Sequence, residues 1–422
     1  MTTTLFTNIS ELWTMDPLRE SEGAKGAGVI RDAALVAENG RVVWVGKAAD
    51  APDADAREDL GGRAVLPGWV DSHSHMVFDG DRSAEFEARM AGESYAAGGI
   101  QVTTDATRSA SDERLSRLLG DRVRAAALGG TTTMETKTGY GLTVEDEVRS
   151  AAIARDHVDA VTFLGAHLVP SEFNGEKGSR GTAEDYVDLV VGEMLTQVAP
   201  HVDFIDVFCE KGAFDVEQSR RVLDAGKAAG LGVRVHGNQL GESGGVQLAV
   251  ETGAASVDHV NFLSQADVEA LAGTVSRDSD GQVVVDAGES GVRPTGSGPT
   301  VATILPACDI STRMPFAPAR ELLDAGAAVA IASNLNPGTS FTSAMNFCVG
   351  TAVLQQHMSL AEALFAATRG GAIALRMADV GHLTVGARAD LHVLDAPAAI
   401  HLAYRPGMPM TWKVFARGAE VK

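Results

Sequence analysis

The sequence predicts an α/β protein: a (β/α)8 TIM-like barrel carrying a small β-sandwich domain built from both termini. Three observations predict it. The middle of the chain alternates short apolar runs with amphipathic stretches over roughly 300 residues, the rhythm of a parallel barrel. Both ends show period-two patterning broken by turn residues instead. Histidines fall where successive apolar runs end. A doubly wound sheet is the other architecture with this rhythm, but no GxGxxG or GxxxxGK[ST] loop supports it.

Residues 1–64 and 380–422 are assigned to the β-domain and 65–379 to the barrel. AALVAENGRVVWVG is two alternating runs about Asn39-Gly40, a two-residue hairpin signal. GHLTVGARADLHVLDAP and TWKVFARGAEVK supply the far-end strands. In the barrel, VLPGWVDSHSH, TTTMETKTGYG, AVTFLGAHLVP, FIDVFCEKGAF, GVRVHGNQL, SVDHVNFL and AVAIASNLNPG each read as a strand with its loop. DERLSRLLGDRVRAAALGG, VEDEVRSAAIARDH, EDYVDLVVGEMLTQVAP, VEQSRRVLDAGKAAG and GGVQLAVETG read as the helices between them. Residues 273–306, rich in Gly, Ser and Asp, break the rhythm and read as an inserted hairpin and loop. They form either a surface excursion or a lid over the barrel mouth.

The net charge of -21 sets the protein against DNA, RNA and anionic lipid. Three cysteines, Cys209, Cys308 and Cys348, give no disulfide framework and fit a reducing cytoplasm. The opening MTTTLFTNISELWTMD has neither a basic stretch nor a long apolar run, so no secretory signal is expected. No apolar run reaches the roughly 18 residues of a membrane span. A small molecule is the expected partner, and a homodimer is compatible with this type of barrel.

His73 and His75 form an H-x-H at the end of VLPGWVDSHSH, and residues i and i+2 of a strand share a face. His167, His236 and His259 each close a different apolar run. Five imidazoles at strand C-termini would meet at the catalytic face and suit Zn or Fe. His157, His201, His357, His382, His392 and His401 fall on helices, turns or the β-domain and read as structural. Asp258, beside His259, alternates to the other side of its strand and is not expected to orient a ligand. Cys209 reads as barrel packing, and Glu210 as an ion pair with Lys211.

LPGWVDSHSH, HMVFDGDRSAEFEARMAGESY, GTTTMETKTGYGL, TFLGAHLVP, DVFCEKGAF, QLAVETGAASVDH, LNPGTS and GHLTVGARADLHVLD together resemble the amidohydrolase superfamily, and within it most closely the imidazolonepropionases. The resemblance covers nearly the whole chain. It implies a metal-dependent hydrolase that opens a cyclic amide, with one divalent metal held by His73, His75, His236 and the residue at 334. It also implies Arg82 on the substrate's carboxylate, Tyr95, Tyr140 and Asn336 lining the pocket, and His167 and His259 at the ring or its protons. Lys137, in METKTGYG, is the alternative bridging lysine of a two-metal site.

Two positions depart from the family pattern. The ligand Asp is Asn334 here, in SNLNPG, and the acid/base Glu is Gln239, in HGNQL. An amide does not titrate as a base near neutral pH, and its oxygen binds metal more weakly than a carboxylate. Three readings follow: an amidohydrolase with a weakly held metal and a histidine proton relay; a non-hydrolytic enzyme on a related heterocycle; and a binding protein.

Overall fold

The computed structural model describes residues 2–16, 18–19, 21, 24, 26–92, 99–287 and 290–422. Within them β1 (Thr3–Trp13), β2 (Val29–Glu38), β3 (Arg41–Lys47) and β4 (Ala56–Pro67) precede the barrel strands. These are β5 (Trp69–Asp71), β6 (Thr131–Lys137), β7 (Ala160–Ala166), β8 (Phe204–Cys209), β9 (Gly232–Gly237), β10 (Ser256–His259), β11 (Val301–Ile304) and β12 (Val329–Ile331). The chain closes with β13 (Leu391–Leu394), β14 (Thr411–Ala416) and β15 (Ala419–Glu420).

β5 to β12 form one sheet in sequence order, every neighbouring pair parallel. Helices alternate with them as the amphipathic patterns require: Asp112–Leu128, Val144–Arg155, Val216–Ala228 and Gly245–Thr252 all lie where expected. Strands buried on both faces read as continuous apolar runs, hence VTFLG and FIDVF.

The first and last barrel strands meet through side chains and irregular backbone. Asp71 accepts hydrogen bonds from the Ser333 amide (3.0 Å) and hydroxyl (2.5 Å). Just above, the Asn334 N–H donates to His73 O at 3.0 Å and the His75 N–H to Leu335 O at 2.8 Å. Behind the seam, Gly370 and Gly371 let a helical turn touch both strands. A Cβ on Gly370 would lie 2.3 Å from Val329 O, and one on Gly371 would lie 2.4 Å from Val70 O.

The terminal strands make one mixed sheet, ordered β15-β14-β13-β4-β1-β2-β3. It folds over on itself: Phe6 of β1 meets Phe415 of β14 edge-on, with centroids 4.9 Å apart, so its two halves face each other as layers of a sandwich. The Asn39-Gly40 hairpin forms as predicted. Both residues are left-handed (φ 51° and 77°), and Glu38 pairs with Arg41.

The 273–306 expectation needs one correction, and one of its two alternatives falls away. Residues 301–304 are β11, the seventh barrel strand; VATI is too short, and too close to Gly, Ser and Pro, to stand out in the sequence. The described residues before it include the expected hairpin, with the Val284 N–H donating to Ser276 O at 2.9 Å, and they form a surface excursion, not a lid. It joins the helix Gln265–Gly273 to the start of β11, and so runs beneath the barrel, opposite the catalytic rim. There Arg376 donates to Pro299 O (2.9 Å) and Gly296 O (3.2 Å), and Pro294 O packs against Gly232 at the start of β9.

Gly371→Ala forces a methyl group into Val70 O and should cost about 1–3 kcal/mol, the usual range for overpacking. The expected result is a lower urea midpoint at unchanged m-value; an unchanged midpoint would show that the seam yields without cost.

Candidate functional site

β5 and β9 bring their histidines together at the barrel's C-terminal rim. His75 Nε2 lies 3.3 Å from His73 Nε2 and 3.3 Å from His236 Nε2. The opposite ring nitrogens both meet carboxylates: His73 Nδ1 donates to Asp258 Oδ2 at 2.7 Å, and His236 Nδ1 lies 3.0 Å from Asp206 Oδ2. A neutral imidazole with its proton on Nδ1 presents a lone pair at Nε2. Two such lone pairs therefore face His75 at close range, and its single ring proton can satisfy only one. Burial, then the Lys137 cation, holds His73 well below the ordinary histidine range. Burial, then His73, does the same for His75. Neutral, convergent nitrogens with carboxylates behind them fit a divalent cation.

The carboxylates belong to a charged layer sealed inside the barrel. Lys137 Nζ lies 3.0 Å from Glu135, 2.9 Å from Asp206 and 3.8 Å from Asp258. Arg234 reaches Asp258 at 3.3 Å and Glu135 at 3.8 Å. Burial alone would raise Asp206 and Asp258. His236 and Lys137 hold the first below the usual carboxylate range, and Arg234 and Lys137 the second. Lys137 is thus the counter-ion of this layer, which disfavours the bridging-lysine alternative, since a carbamate there would add an anion among three.

Asp258 does orient one of the histidines, contrary to expectation. It serves His73 across the barrel rather than its neighbour. The backbone turns left-handed at His259 (φ 81°) and Val260 (φ 52°), which breaks the strand alternation and lets His259 face the cavity too. Asp206, Glu135 and Arg234 escaped sequence reasoning. Their only signal was a charge inside an apolar strand, as in FIDVF and GVRVH.

One cavity gathers His75, Arg82, Tyr140, His167, His236, Gln239, His259, Asn334 and Asn336. Tyr95 lies outside the described residues. His167 Nδ1 donates to Gly139 O at 2.9 Å, leaving Nε2 as an acceptor, and burial pushes its pKa down to about 4. Its ring stacks on His75 with centroids 5.6 Å apart. Burial lowers His259 well below the usual range, and its Nδ1 has no partner among the described residues. Asn334 is left-handed (φ 52°), and its Oδ1 is buried without a partner among the described residues, an unused acceptor on a residue that lines this cavity.

Three further readings sharpen. Asn336 uses its amide within its own turn, giving Nδ2 to Asn334 O and Thr339 and accepting from the Gly338 and Thr339 amides, so it shapes the wall. Glu210 accepts from the Gln239 N–H at 2.5 Å and from Leu240 at 3.3 Å; it caps that loop, and no ion pair to Lys211 is seen among the described residues. Cys209 is a buried thiol that burial raises above its ordinary pKa. The histidines read as structural sit elsewhere: His157 on Ser116, His382 on Ala378 O and Thr384, and His392 on Thr411.

Residues 64–421 match the family described as "Amidohydrolase family". The imidazolonepropionase of Micrococcus luteus is 62% identical over 424 residues, 99% of each chain. That of Paenarthrobacter aurescens is 58% identical over 427 residues, covering 99% of this chain and 98% of the relative. An adenosine deaminase from Xanthomonas campestris, solved with bound zinc, superposes with a TM-score of 0.67 at 18% identity, over 99% of this chain and 92% of that one. At that identity the likeness is one of fold alone.

Asp258→Asn keeps the shape but removes the carboxylate behind His73. Zn²⁺ affinity, measured by chelator competition, should fall about 10- to 100-fold; an unchanged affinity would show that His73 needs no such support.

Proposed function

Because the chain belongs to the amidohydrolase family, and within it to the imidazolonepropionases, we propose that it opens the ring of imidazolone-5-propionate by hydrolysis of the cyclic amide. The observation that carries this reading is the convergence of three imidazole Nε2 atoms and the unpartnered Asn334 oxygen beside Arg82 in one cavity. A single Zn or Fe ion held by His73, His75, His236 and the Asn334 Oδ1 would supply Lewis acidity to the ring carbonyl and to water.

Arg82 holds the propionate by charge-assisted hydrogen bonds. Tyr140 packs against His75 and His167 and lines the heterocycle's slot. His167 has its one proton committed to Gly139 O, so its Nε2 accepts from a ring N–H and orients the heterocycle. Gln239, placed by the Glu210 cap, can hold water by a hydrogen bond but cannot take its proton. That task falls to His259, which is neutral and has a ring nitrogen free of other partners among the described residues. It moves the proton from water to the departing ring nitrogen, so the C–N bond breaks to a neutral amidine nitrogen rather than its anion.

Full-length identity to imidazolonepropionases supports hydrolysis over the non-hydrolytic and binding-only readings. The two amides then mark a changed proton path and a more weakly held metal. The reading places the enzyme in the cytoplasm, consistent with three buried free cysteines. No described helix is long and apolar enough to cross a membrane.

The metal-loaded protein should consume imidazolone-5-propionate, followed by loss of the ring's ultraviolet absorbance, and a chelator should abolish turnover. Absence of turnover with Zn and with Fe would sink the assignment. His259→Ala should lower kcat by on the order of 10²–10⁴ with little change in KM, the range for a lost proton shuttle; a pure KM effect would instead make His259 a binding residue.

A further inference from the structure

Arg82 is 5% exposed and lines the cavity, yet it is not waiting unpaired. Its Nε donates to Glu85 Oε2 at 2.7 Å and its Nη2 to Glu85 Oε1 at 2.8 Å. Nη1 makes no hydrogen bond among the described residues and is not sealed off from solvent. Backbone packs close on the pair from both sides. A Cβ on Gly338 would lie 2.3 Å from Arg82 Nη1, and one on Gly99 would lie 1.8 Å from Glu85 Oε2 and 2.5 Å from Arg82 Nη2. Arg89, one turn beyond Glu85 on the helix Ser83–Met90, donates to Gly338 O at 2.7 Å and fixes the turn that covers the guanidinium.

An exposed i,i+3 ion pair would merit no attention. Here the guanidinium is buried, its plane is set by a two-bond fork, and one nitrogen is left over. We propose that Glu85 is the positioning residue for carboxylate recognition: it occupies the Nε side of Arg82 and so leaves Nη1 as the nitrogen that meets a carboxylate. The inference rests on the proposed reaction for the identity of the ligand, but not for its geometry. Glu85 also cancels the charge of Arg82, so recognition depends on direction more than on bulk attraction. A carboxylate placed to meet Nη1 is accepted, and one at another distance from the ring gains little. Against this stands repulsion: Glu85 is itself an anion near the ligand's carboxylate. At separations of several ångströms the two effects are comparable, so the sign of the mutational effect decides between them.

The test is equilibrium binding to the metal-loaded protein of imidazole-4-propionate and of 4-ethylimidazole, which lacks the carboxylate, for the wild type, Glu85→Ala and Glu85→Gln. Glu85→Ala should weaken the carboxylate ligand on the order of tenfold or more and leave 4-ethylimidazole within about twofold. Glu85→Gln, which keeps one acceptor, should fall between. Tighter binding of the carboxylate ligand, or equal loss for both ligands, would overturn the proposal: the first makes Glu85 a competing anion, the second a structural support. If Glu85→Ala does not fold, the Glu85→Gln ratio decides alone. If the wild type opens no imidazolone, the proposed reaction fails, while the ratio of the two affinities still judges Glu85.

Discussion

The hydrogen bond from His73 to Asp258 and the 3.0 Å approach of His236 Nδ1 to the Asp206 carboxylate are the constraint on which the rest of this site depends. They fix both tautomers, aim both Nε2 lone pairs, and require two ionised carboxylates deep in an apolar barrel. Such charges cost several kcal/mol each to bury. Lys137 and Arg234 make the arrangement tenable by bridging Glu135, Asp206 and Asp258 in one fully buried layer. Four barrel strands, β6, β8, β9 and β10, are thereby tied together beneath the histidines, which explains how a rim built of loops can hold three imidazoles at van der Waals range.

Much of this was legible in the sequence because it is local. Strand and helix periods, the Asn39-Gly40 turn and the histidines closing apolar runs all report on neighbours in the chain. What stayed illegible is contact across the barrel. Asp258 looked misdirected beside His259 because period two governs a strand only while it remains a strand, and here it turns left-handed at His259. Asp206 gave no clue to its partner two elements away. β11 was hidden because a four-residue strand carries too little pattern to outweigh its flanks. The underside segment stayed open between a surface excursion and a lid because composition reports that a loop is irregular, not which end of a barrel it occupies.

On the proposed reading, the amides at 239 and 334 keep the shape of the site while lacking two negative charges. Backbone bonds hold both residues: Gln239 through the Glu210 cap and Asn334 through His73 O. Position is therefore decoupled from charge, and the surrounding architecture tolerates either state. The proton work can move to an imidazole already facing the cavity without displacing any element of the fold.

The seam between β5 and β12 has a consequence for the order of events in synthesis. His73 and His75 leave the ribosome early, whereas Ser333, Asn334 and Leu335, which clamp them, come late; Ser333 and its partner Asp71 are separated by 262 residues. A nascent chain can pair successive strands as they emerge, but it cannot bring Asn334 to the triad until the last barrel strand is made. The growing polypeptide thus carries His73 and His75 long before it has a chamber around them. Ring closure is then the moment at which scattered imidazoles become a site.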